Sequence, residues 1–376
     1  MSTILKKCRA CNSFDIEVRG SRSGFPLYIW PLDKGDETLL EDIDIYVCEN
    51  CGYIQLHDID AKMLDEIYGA TAYNIENPTQ NIERYEVLTK NHSGKFSNCN
   101  VLEIGGGRNF FIGHLPNDCK KYVCDFDVDE NILSQVDGCY VGDFINDSFD
   151  FNKDGYDYVF LFHVLEHFNQ PSSALKRIKD LLKPDGKLVI EVPNFSNELE
   201  KIPYYTIFHM HISLFTEDTL KSILEINGFE CVDVFRNDQV LFAEFSLLKS
   251  KSEINVKTAI SSNSQVRQLE KNITVYRNKI TSIIENLNDD PIAIFGAGGS
   301  TTLFLYNFPE VLGKVKYAFD NDIKKHGKML CNGKVEILPL SEIDKYKIKH
   351  IIVLQAEHIK YVGIDSVDYI NVGGLG

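Results

Sequence analysis

Short apolar runs alternate with helical periodicity along most of the chain. Four runs from residue 98 onward, at 101–104, 121–126, 156–162 and 187–192, are bounded by polar segments and predict strands. Strands that alternate with helices predict an α/β fold with a parallel sheet. A further apolar run at 291–295 predicts the start of a second α/β unit.

The N-terminal part has a different pattern, with strands predicted at 25–30 and 43–47. Apolar content falls near residue 249, and a long helix is predicted at 265–287. The resulting plan has five parts: an N-terminal module at 1–60, a helical connector at 61–97, a core at 98–248, a linker and helix at 249–288, and a C-terminal domain at 289–376. Tyr68 and Tyr73 in the connector are candidates to close over a ligand.

The ten cysteines are unevenly placed. Four of them form two C-x-x-C pairs, Cys8 with Cys11 and Cys48 with Cys51. Two such pairs are typical of a tetrahedral zinc site, and four thiolate ligands leave no position for water, so we expect a structural zinc ion. The six isolated cysteines are expected to behave as small buried hydrophobes.

Length and charge narrow the classes of function. A chain of 376 residues exceeds the usual size of one hydrophobic core, so several domains are expected. The net charge of −16 argues against non-specific binding to nucleic acid or to anionic membranes. No membrane-spanning run or signal-peptide core is visible, and we expect a cytoplasmic protein.

The first predicted strand runs into three glycines, Gly105, Gly106 and Gly107. Glycines at a strand-to-helix turn let backbone N–H groups approach a nucleotide closely. Glu103, just before them, is a candidate to bind a cationic amino-acid moiety. About 20 residues further on, where a ribose-binding carboxylate is expected, we choose Asp127 over Asp125 because it is predicted to lie at the strand tip. Asp143 and Phe144 are candidates to bind an adenine amino group and ring.

These motifs, with the segments 156–167 and 181–190, resemble the ordered motifs of class I S-adenosylmethionine-dependent methyltransferases over residues 98–248. The resemblance implies that Glu103 and the three glycines bind the methionine moiety, that Asp127 binds ribose, and that Asp143 and Phe144 bind adenine. It also implies that His163 lines the cofactor pocket. Arg108 and Asn109 depart from the family pattern, which usually has a small residue and a glycine there.

A metal pair formed by His163 and His167 is rejected. The spacing of the zincins places a glutamate directly after the first histidine, whereas Glu166 directly precedes the second.

Over nearly the whole chain, the cysteine pairs, the core and the segment 295–302 together resemble the three-domain sugar C-methyltransferases that act on nucleotide-linked deoxysugars. The resemblance implies a Rossmann-like class I core between an N-terminal zinc-binding lobe and a C-terminal Rossmann-like α/β domain. That family carries Tyr-His-Glu-His-Phe-Ser-Tyr where this chain has Phe208, His209, Met210 and His211. Met210 cannot take a proton, so His211 is the predicted base, with His209 second.

The second glycine turn contains Gly296, Gly298 and Gly299, with Asp320 after the next strand. It can hold a dinucleotide, although Thr301 stands where the G-x-G-x-x-G fingerprint has its third glycine. The resemblance instead implies a helper domain that binds the nucleotide or diphosphate of the substrate at a helix N-terminus, and we favour this interpretation.

The sequence thus predicts an enzyme that transfers a methyl group from S-adenosylmethionine to a small polar acceptor, expected to be a nucleotide-activated sugar. Carbon, oxygen and nitrogen are all open as the methylated atom. Two alternatives stay open. One is an NAD-dependent oxidoreductase that uses the turn at Gly296. The other is a non-catalytic nucleotide-binding scaffold, which is supported by Met210 in place of the family's glutamate.

Overall fold

The computed structural model describes residues 5–58, 63, 78–91, 96–107, 110–236, 239–249, 257–287, 290–364 and 366–373. Tyr68 and Tyr73, together with Arg108 and Asn109, lie outside the described residues.

The described strands fall into three sheets. They are β1 (Ile16–Pro26), β2 (Leu40–Cys48), β3 (Ile54–Leu56), β4 (Asn100–Ile104), β5 (Lys120–Asp125), β6 (Gly138–Val141), β7 (Tyr156–Phe162), β8 (Leu182–Pro193), β9 (Ser213–Leu214), β10 (Phe229–Arg236), β11 (Val240–Leu247), β12 (Ile292–Phe295), β13 (Val315–Asp320), β14 (Met329–Leu330), β15 (Val335–Pro339), β16 (His350–Val353) and β17 (Asp368–Asn371).

The helices connect these strands or pack beside them. They are α1 (Pro78–Asn91), α2 (Glu130–Leu133), α3 (Pro171–Leu181), α4 (Phe195–Lys201), α5 (Glu217–Ile226), α6 (Lys257–Asn286), α7 (Gly299–Asn307), α8 (Pro309–Leu312) and α9 (Ile359–Val362). Short 3₁₀ turns occur at Ile112–His114, Leu165–His167, Ile323–Lys325, Leu340–Tyr346 and Ala356–His358.

The N-terminal sheet is antiparallel, in the order β1-β2-β3-β9. The strand predicted at 43–47 lies within β2, but the strand predicted at 25–30 is wrong, because β1 ends at Pro26. Leu27 and Ile29 are buried in an irregular segment. Their apolar character reflects this burial. An unbroken apolar run is found in buried irregular segments as well as in buried strands, so the run alone does not predict a strand.

The central sheet has seven strands in the order β10-β11-β8-β7-β4-β5-β6. The four strands predicted for the core correspond to β4, β5, β7 and β8, and all four pair in parallel. They are recognisable in the sequence because a parallel sheet is covered on both faces and its strands are nearly continuous apolar runs. The strand order reverses between β4 and β7, and ligands of open α/β sheets bind at the carboxyl ends of the strands beside such a reversal.

The C-terminal sheet has six strands in the order β14-β15-β13-β12-β16-β17. Apart from the antiparallel β14, its strands are parallel, which confirms the predicted second α/β unit. This sheet also reverses its strand order, between β12 and β16.

One apolar cluster packs the N-terminal sheet against three helices. It contains Ile29 of the N-terminal part, Leu199 of α4, Leu269 of α6 and Leu303 of α7. The long helix α6 begins at Lys257 rather than at the predicted residue 265, and its Glu270 pairs with Arg22 of β1 at 2.7 Å. In addition, β9 follows the core strands in sequence but pairs with β3 of the N-terminal sheet.

Within the described part of the chain, no helix combines the length and the apolar character needed to span a bilayer.

Candidate active site

A cleft of about 1040 Å³ lies between the central and C-terminal sheets. His163, just after β7, and His211 line its core side, while Gly296, Ser300 and Lys325 line its C-terminal side. Glu198 of α4 and Tyr205 lie on the wall that connects the two sides. The cleft therefore adjoins the carboxyl ends of strands from both parallel sheets.

The first glycine turn follows β4. Gly105 has a φ of +84°, and a side chain there would overlap Val164. A side chain at Gly107 would overlap the backbone oxygen of Asp127. The turn therefore needs glycine at these positions to fit against its own neighbours, in addition to any approach by a ligand.

Glu103 lies beneath this turn and is only 2% exposed. Its two carboxylate oxygens accept hydrogen bonds from the backbone N–H groups of Phe111 and Ile112, each at 3.0 Å. Burial raises the pKa of Glu103 to about 7, and the two N–H groups oppose that shift. The carboxylate thus organises the segment after the glycine turn, and its contact with a methionine moiety stays a prediction.

The acidic residue at the tip of the second core strand is Asp125, the last residue of β5. Its Oδ2 accepts a hydrogen bond from the Gly107 N–H at 2.7 Å, and burial raises its pKa. Asp127 is exposed, beyond the end of the strand. The prediction that Asp127 lies at the strand tip is wrong, because β5 ends at Asp125. Phe126, between the two aspartates, is 68% exposed.

Asp143 and Phe144 make most of their contacts with other residues of the protein. Asp143 Oδ1 accepts hydrogen bonds from the backbone N–H groups of Ile145 and Asn146. The Phe144 ring is 4% exposed, and it packs against Phe168 and beneath the Arg177 guanidinium. This burial argues against the predicted packing of Phe144 on adenine. The sequence could not separate a core phenylalanine from one at a ligand.

His163 lies at the edge of the cleft, with a strained backbone φ of +56°. Its Nδ1 is 3.3 Å from Glu166 Oε1, and its Nε2 is 3.1 Å from Glu191 Oε1. Burial alone would lower the pKa of His163, but the contacts with Glu166 and Glu191 raise it to about 9. We infer an imidazolium whose two N–H groups both point at carboxylates of the protein.

His211 lines the same cleft, but its ring is neutral, whereas that of His163 is charged. Burial, reinforced by the nearby His167, lowers the pKa of His211 to about 3, so the ring is neutral. The His211 ring packs 4.1 Å from the ring of Phe208 and 5.0 Å from that of His167, measured between centroids. His211 therefore presents a neutral imidazole, the form that can accept a proton, to the cleft.

His167 is a site residue that the sequence reasoning missed. Its Nδ1 donates to the Met210 carbonyl oxygen at 2.8 Å, and its Nε2 lies 3.9 Å from Glu166 Oε1. Ligand atoms of Glu166, His167 and His211 lie within 4.8 Å of one another, a group that could hold a metal ion. Glu166 and His167 are adjacent in the sequence, but His211, the third member of the group, lies much further along the chain. Local spacing therefore does not indicate the group.

His209, the second candidate base, is fully buried and faces the N-terminal sheet. Its Nε2 is 3.2 Å from the Phe25 carbonyl oxygen, and its ring centroid is 5.2 Å from that of His57. Burial lowers its pKa to about 3. His209 is thus a buried structural histidine, and the structure removes it from the candidates for catalysis.

The second glycine turn joins β12 to α7. Gly296 has a φ of +91°, and Gly298 is the N-cap of α7. Gly299 packs so closely on Ile29 that a side chain would displace it. Asp320 Oδ2 accepts from the Ala297 N–H at 2.7 Å and pairs with Lys325 Nζ at 2.9 Å. The Asp320 carboxylate therefore braces the turn, which weakens its predicted role on a ribose.

A family model described as "Methyltransferase domain" matches residues 72–234. A curated relative, the C-methyltransferase NovU of Streptomyces niveus, is 22% identical over 332 residues, which cover 81% of this chain and 78% of the relative. These findings support a class I S-adenosylmethionine-dependent methyltransferase. The matched segment contains the glycine turn after β4 and ends before the turn at Gly296.

Two solved structures are similar to part of the methyltransferase. One is an S-adenosylmethionine-dependent methyltransferase from Clostridium acetobutylicum, with 10% identity, a TM-score of 0.35, and coverage of 50% of this chain and 97% of that chain. The other is the CcbJ methyltransferase of Streptomyces caelestis, with 10% identity, a TM-score of 0.35, and coverage of 47% and 94%.

The four cysteines of the methyltransferase come together at one end of the N-terminal sheet. The Cys8 and Cys51 sulfurs are 3.7 Å apart, those of Cys11 and Cys48 are 3.6 Å apart, and all four lie within 4.8 Å of one another. Zinc–sulfur bonds of about 2.3 Å place tetrahedral ligands roughly 3.8 Å apart, so the donor set fits zinc. Ala10 N–H also points at Cys8 Sγ, at 3.4 Å.

Proposed function

We propose that this protein transfers a methyl group from S-adenosylmethionine to a nucleotide-activated sugar. The observation that carries the proposal is the single cleft that connects His163 and His211 of the methyltransferase core with the glycine turn of the C-terminal sheet. Such a cleft suits an acceptor whose two ends differ in chemistry. The reacting sugar would lie near His211 and the nucleotide near α7.

The donor would bind at the carboxyl ends of β4 and β5. Gly105, Gly106 and Gly107 would bring backbone groups close to it, and Glu103 would hold that turn in shape from below. For the ribose we now favour Asp125 over Asp127, because Asp125 ends β5 beside the glycine turn. The exposed ring of Phe126 is well placed to cover an adenine face. When bound, the donor supplies an electrophilic methyl group on a sulfonium.

At the reacting end, His211 would accept the proton that the acceptor loses. Its ring is neutral and lies in the cleft. The nearby His163 imidazolium adds a fixed positive charge at the end of β7, which favours negative charge developing on the acceptor. Base and fixed charge lie on the same side of the cleft, so orientation and proton transfer can act together.

At the other end, the C-terminal turn would bind the substrate's phosphate groups. The first turn of α7 leaves backbone N–H groups without helical partners, and a helix N-terminus favours anions. Lys325 and Ser300 line the same part of the cleft. In this proposal Gly296, Gly298 and Gly299 shape the binding turn, while Asp320 holds Lys325 and the Ala297 backbone in place.

The four-cysteine group would bind one structural zinc ion. Cys8 and Cys51 are buried, and the Cys51 carbonyl accepts a hydrogen bond from Ser222 of α5. A metal there would fix the N-terminal module against the core. The five-part division predicted from the sequence is kept as a proposal for the domain organisation.

Titration calorimetry on the full chain tests the donor assignment. We expect S-adenosylmethionine and S-adenosylhomocysteine to bind and NAD not to bind; binding of NAD alone would refute the proposal. Incubation with methyl-labelled S-adenosylmethionine and a panel of nucleotide sugars then tests the acceptor. Label should appear in at least one nucleotide sugar and not in the matching free sugars. Donor binding without label transfer across the panel would favour a non-catalytic scaffold.

A further inference from the structure

Glu166, His167 and His211 form a group of three side chains beside the cleft, and the proposed function uses only the last of them. Glu166 and His167 belong to the short turn Leu165–His167, which lies just beyond the carboxyl end of β7. His211 comes from the segment before β9 and lines the cleft. One ligand atom from each side chain lies within 4.8 Å of the other two.

The Glu166 carboxylate is buried, and only one of its oxygens has a partner. Glu166 is 0% exposed, and its Oε1 lies 3.3 Å from His163 Nδ1. Its Oε2 is buried without a hydrogen-bond partner among the described residues. An unpaired buried carboxylate oxygen is costly, and native proteins usually satisfy it with an ordered water or an ion. The position of Oε2 therefore points to a ligand that the side chains themselves do not supply.

His167 is held as histidine ligands of metal ions are commonly held. Its Nδ1 donates to the Met210 carbonyl oxygen at 2.8 Å, and its Nε2 lies 3.9 Å from Glu166 Oε1. Metal-bound histidines usually donate one ring N–H to a backbone carbonyl or carboxylate and bind the ion through the other nitrogen. The same hydrogen bond fixes the residue next to His211, so it also helps to place the third member of the group.

His211 adds a second imidazole to the group. Neither of its ring nitrogens makes a hydrogen bond within the described part of the chain. Its ring packs against those of Phe208 and His167, with centroids 4.1 Å and 5.0 Å away. The ring is thus held in place by packing, and its nitrogens are available to an ion between it and Glu166.

The spacing of the group suits one ion after a small contraction. Bonds of 2.0–2.2 Å place two nitrogen or oxygen ligands of a tetrahedral zinc ion roughly 3.4 Å apart. The separation of 3.9 Å between His167 Nε2 and Glu166 Oε1, and the limit of 4.8 Å for the whole group, are somewhat wider. Small rotations of the two histidine side chains would close this difference.

The ligand types indicate the kind of ion. Two imidazoles with one carboxylate suit zinc and related divalent transition ions. The four-cysteine group offers four protein ligands and is closed, whereas three protein ligands leave a position open for another molecule. Because His211 lines the cleft, this open position would face the bound acceptor.

We propose that Glu166, His167 and His211 bind one divalent transition ion of the zinc type, and that its open position takes a hydroxyl oxygen of the acceptor. The ion site stands on the geometry of the three side chains. The acceptor half deepens the proposed function, on which it rests, because it assigns the methylated atom to oxygen. A divalent ion makes a bound hydroxyl far more acidic, so the oxygen can react near neutral pH.

The step balances as follows. With the ion bound, His211 serves as a ligand, and its role as base belongs to the metal-free protein. The O–H bond of the acceptor breaks with its electron pair left on oxygen, and the proton passes to solvent. That pair forms the new O–CH₃ bond, while the S–CH₃ bond breaks with its electron pair left on sulfur.

Titration of the full chain with cobalt(II) tests the ion site. A mild chelator first removes any ion from the open site, and elemental analysis checks that the closed four-cysteine site keeps its zinc. We expect one equivalent of cobalt to bind with visible d–d absorption and without the intense thiolate charge-transfer bands of a cobalt–cysteine site. No binding, or binding with thiolate bands alone, would overturn the inference and leave a water molecule as the partner of Glu166.

Three variants make the result specific. His167→Asn keeps an N–H donor for the Met210 carbonyl but removes the ligand nitrogen. It and His211→Ala should each weaken cobalt binding more than about 100-fold, because even outer-shell partners contribute 10- to 100-fold in affinity. His358→Ala changes another histidine that lines the cleft and should bind cobalt as the native chain does. Native affinity for S-adenosylhomocysteine checks that each variant is folded. Cobalt affinity unchanged in His167→Asn would overturn the site.

The cobalt spectrum also tests the acceptor oxygen. We expect any nucleotide sugar of the panel that accepts label to shift the d–d bands of the cobalt-loaded chain. His167→Asn keeps His211, yet it should transfer label more than about 10-fold more slowly, since the Lewis acidity of an ion contributes several kcal/mol. A sugar that is methylated without a spectral shift, or transfer at the native rate in His167→Asn, would overturn the acceptor half and leave the proposed function in place. Cobalt bound by a chain that fails to bind the donor would instead remove the proposed function and support the ion site.

Discussion

The Gly107 N–H donates a hydrogen bond to Asp125 Oδ2 at 2.7 Å, and this bond ties the tip of β5 to the glycine turn after β4. The two neighbouring parallel strands therefore end in one connected surface. A ligand that lies on the glycine turn also meets the acidic end of the next strand. This contact is the reason for proposing Asp125 in place of Asp127, which the sequence analysis chose.

Replacement of Asp125 by Asn should lower the affinity for S-adenosylhomocysteine about 10- to 100-fold. Hydrogen bonds to a charged group contribute roughly 1.5–3 kcal/mol, and each 1.4 kcal/mol is tenfold in affinity. Asp127→Asn is the matched control, since Asp127 is exposed beyond the strand, and its affinity should change by less than about threefold. Titration calorimetry measures both, and a larger loss in Asp127→Asn would return the ribose to Asp127.

Gly105→Ala should destabilise the protein and abolish donor binding. The new side chain would overlap Val164, and the residue would have to keep a φ of +84°. Overpacking and left-handed backbone together cost roughly 2–5 kcal/mol. Gly298→Ala is the control, because a side chain there meets no atom within 4 Å. Thermal unfolding and calorimetry compare the two; equal stability and affinity would contradict the close packing at Gly105.

His211→Ala should reduce methyl transfer by about 100- to 10,000-fold, the usual contribution of a general base, and should leave donor affinity unchanged. His114→Ala is a matched exposed change and should retain native activity. His209→Ala should instead lower the thermal unfolding midpoint, because His209 is fully buried against the N-terminal sheet. Undiminished turnover in His211→Ala would exclude it as the base.

Cys48→Ser should lose the bound zinc and unfold at a lower temperature than the native chain. A structural metal contributes its binding free energy to folding, so a strong chelator should have the same effect on the native protein. Cys331→Ser is the control, since Cys331 is also buried, at 4% exposure, but lies in the apolar cluster of the C-terminal part and outside the four-cysteine group. Elemental analysis and thermal unfolding measure both; zinc retained in Cys48→Ser would refute the assignment.

The core strands could be predicted because burial on both faces makes each one a short, continuous apolar run. The same signal failed at residues 25–30, where Leu27 and Ile29 are buried without forming a strand. Phe144, chosen from the sequence as a ligand contact, has its ring in the core. An apolar side chain indicates that a residue is buried, but it does not indicate which element of the structure covers it.

By itself, the sequence determined the alternating α/β plan, both glycine turns and the four-cysteine pattern, because each depends on local spacing along the chain. Only the tertiary structure decided which polar residues share a site. It moved the strand tip to Asp125, buried His209 beneath the N-terminal sheet, and brought His163 and His211 to one cleft with the turn at Gly296. Those choices depend on which elements pack together and which side chains lose water, and no spacing within one segment records that.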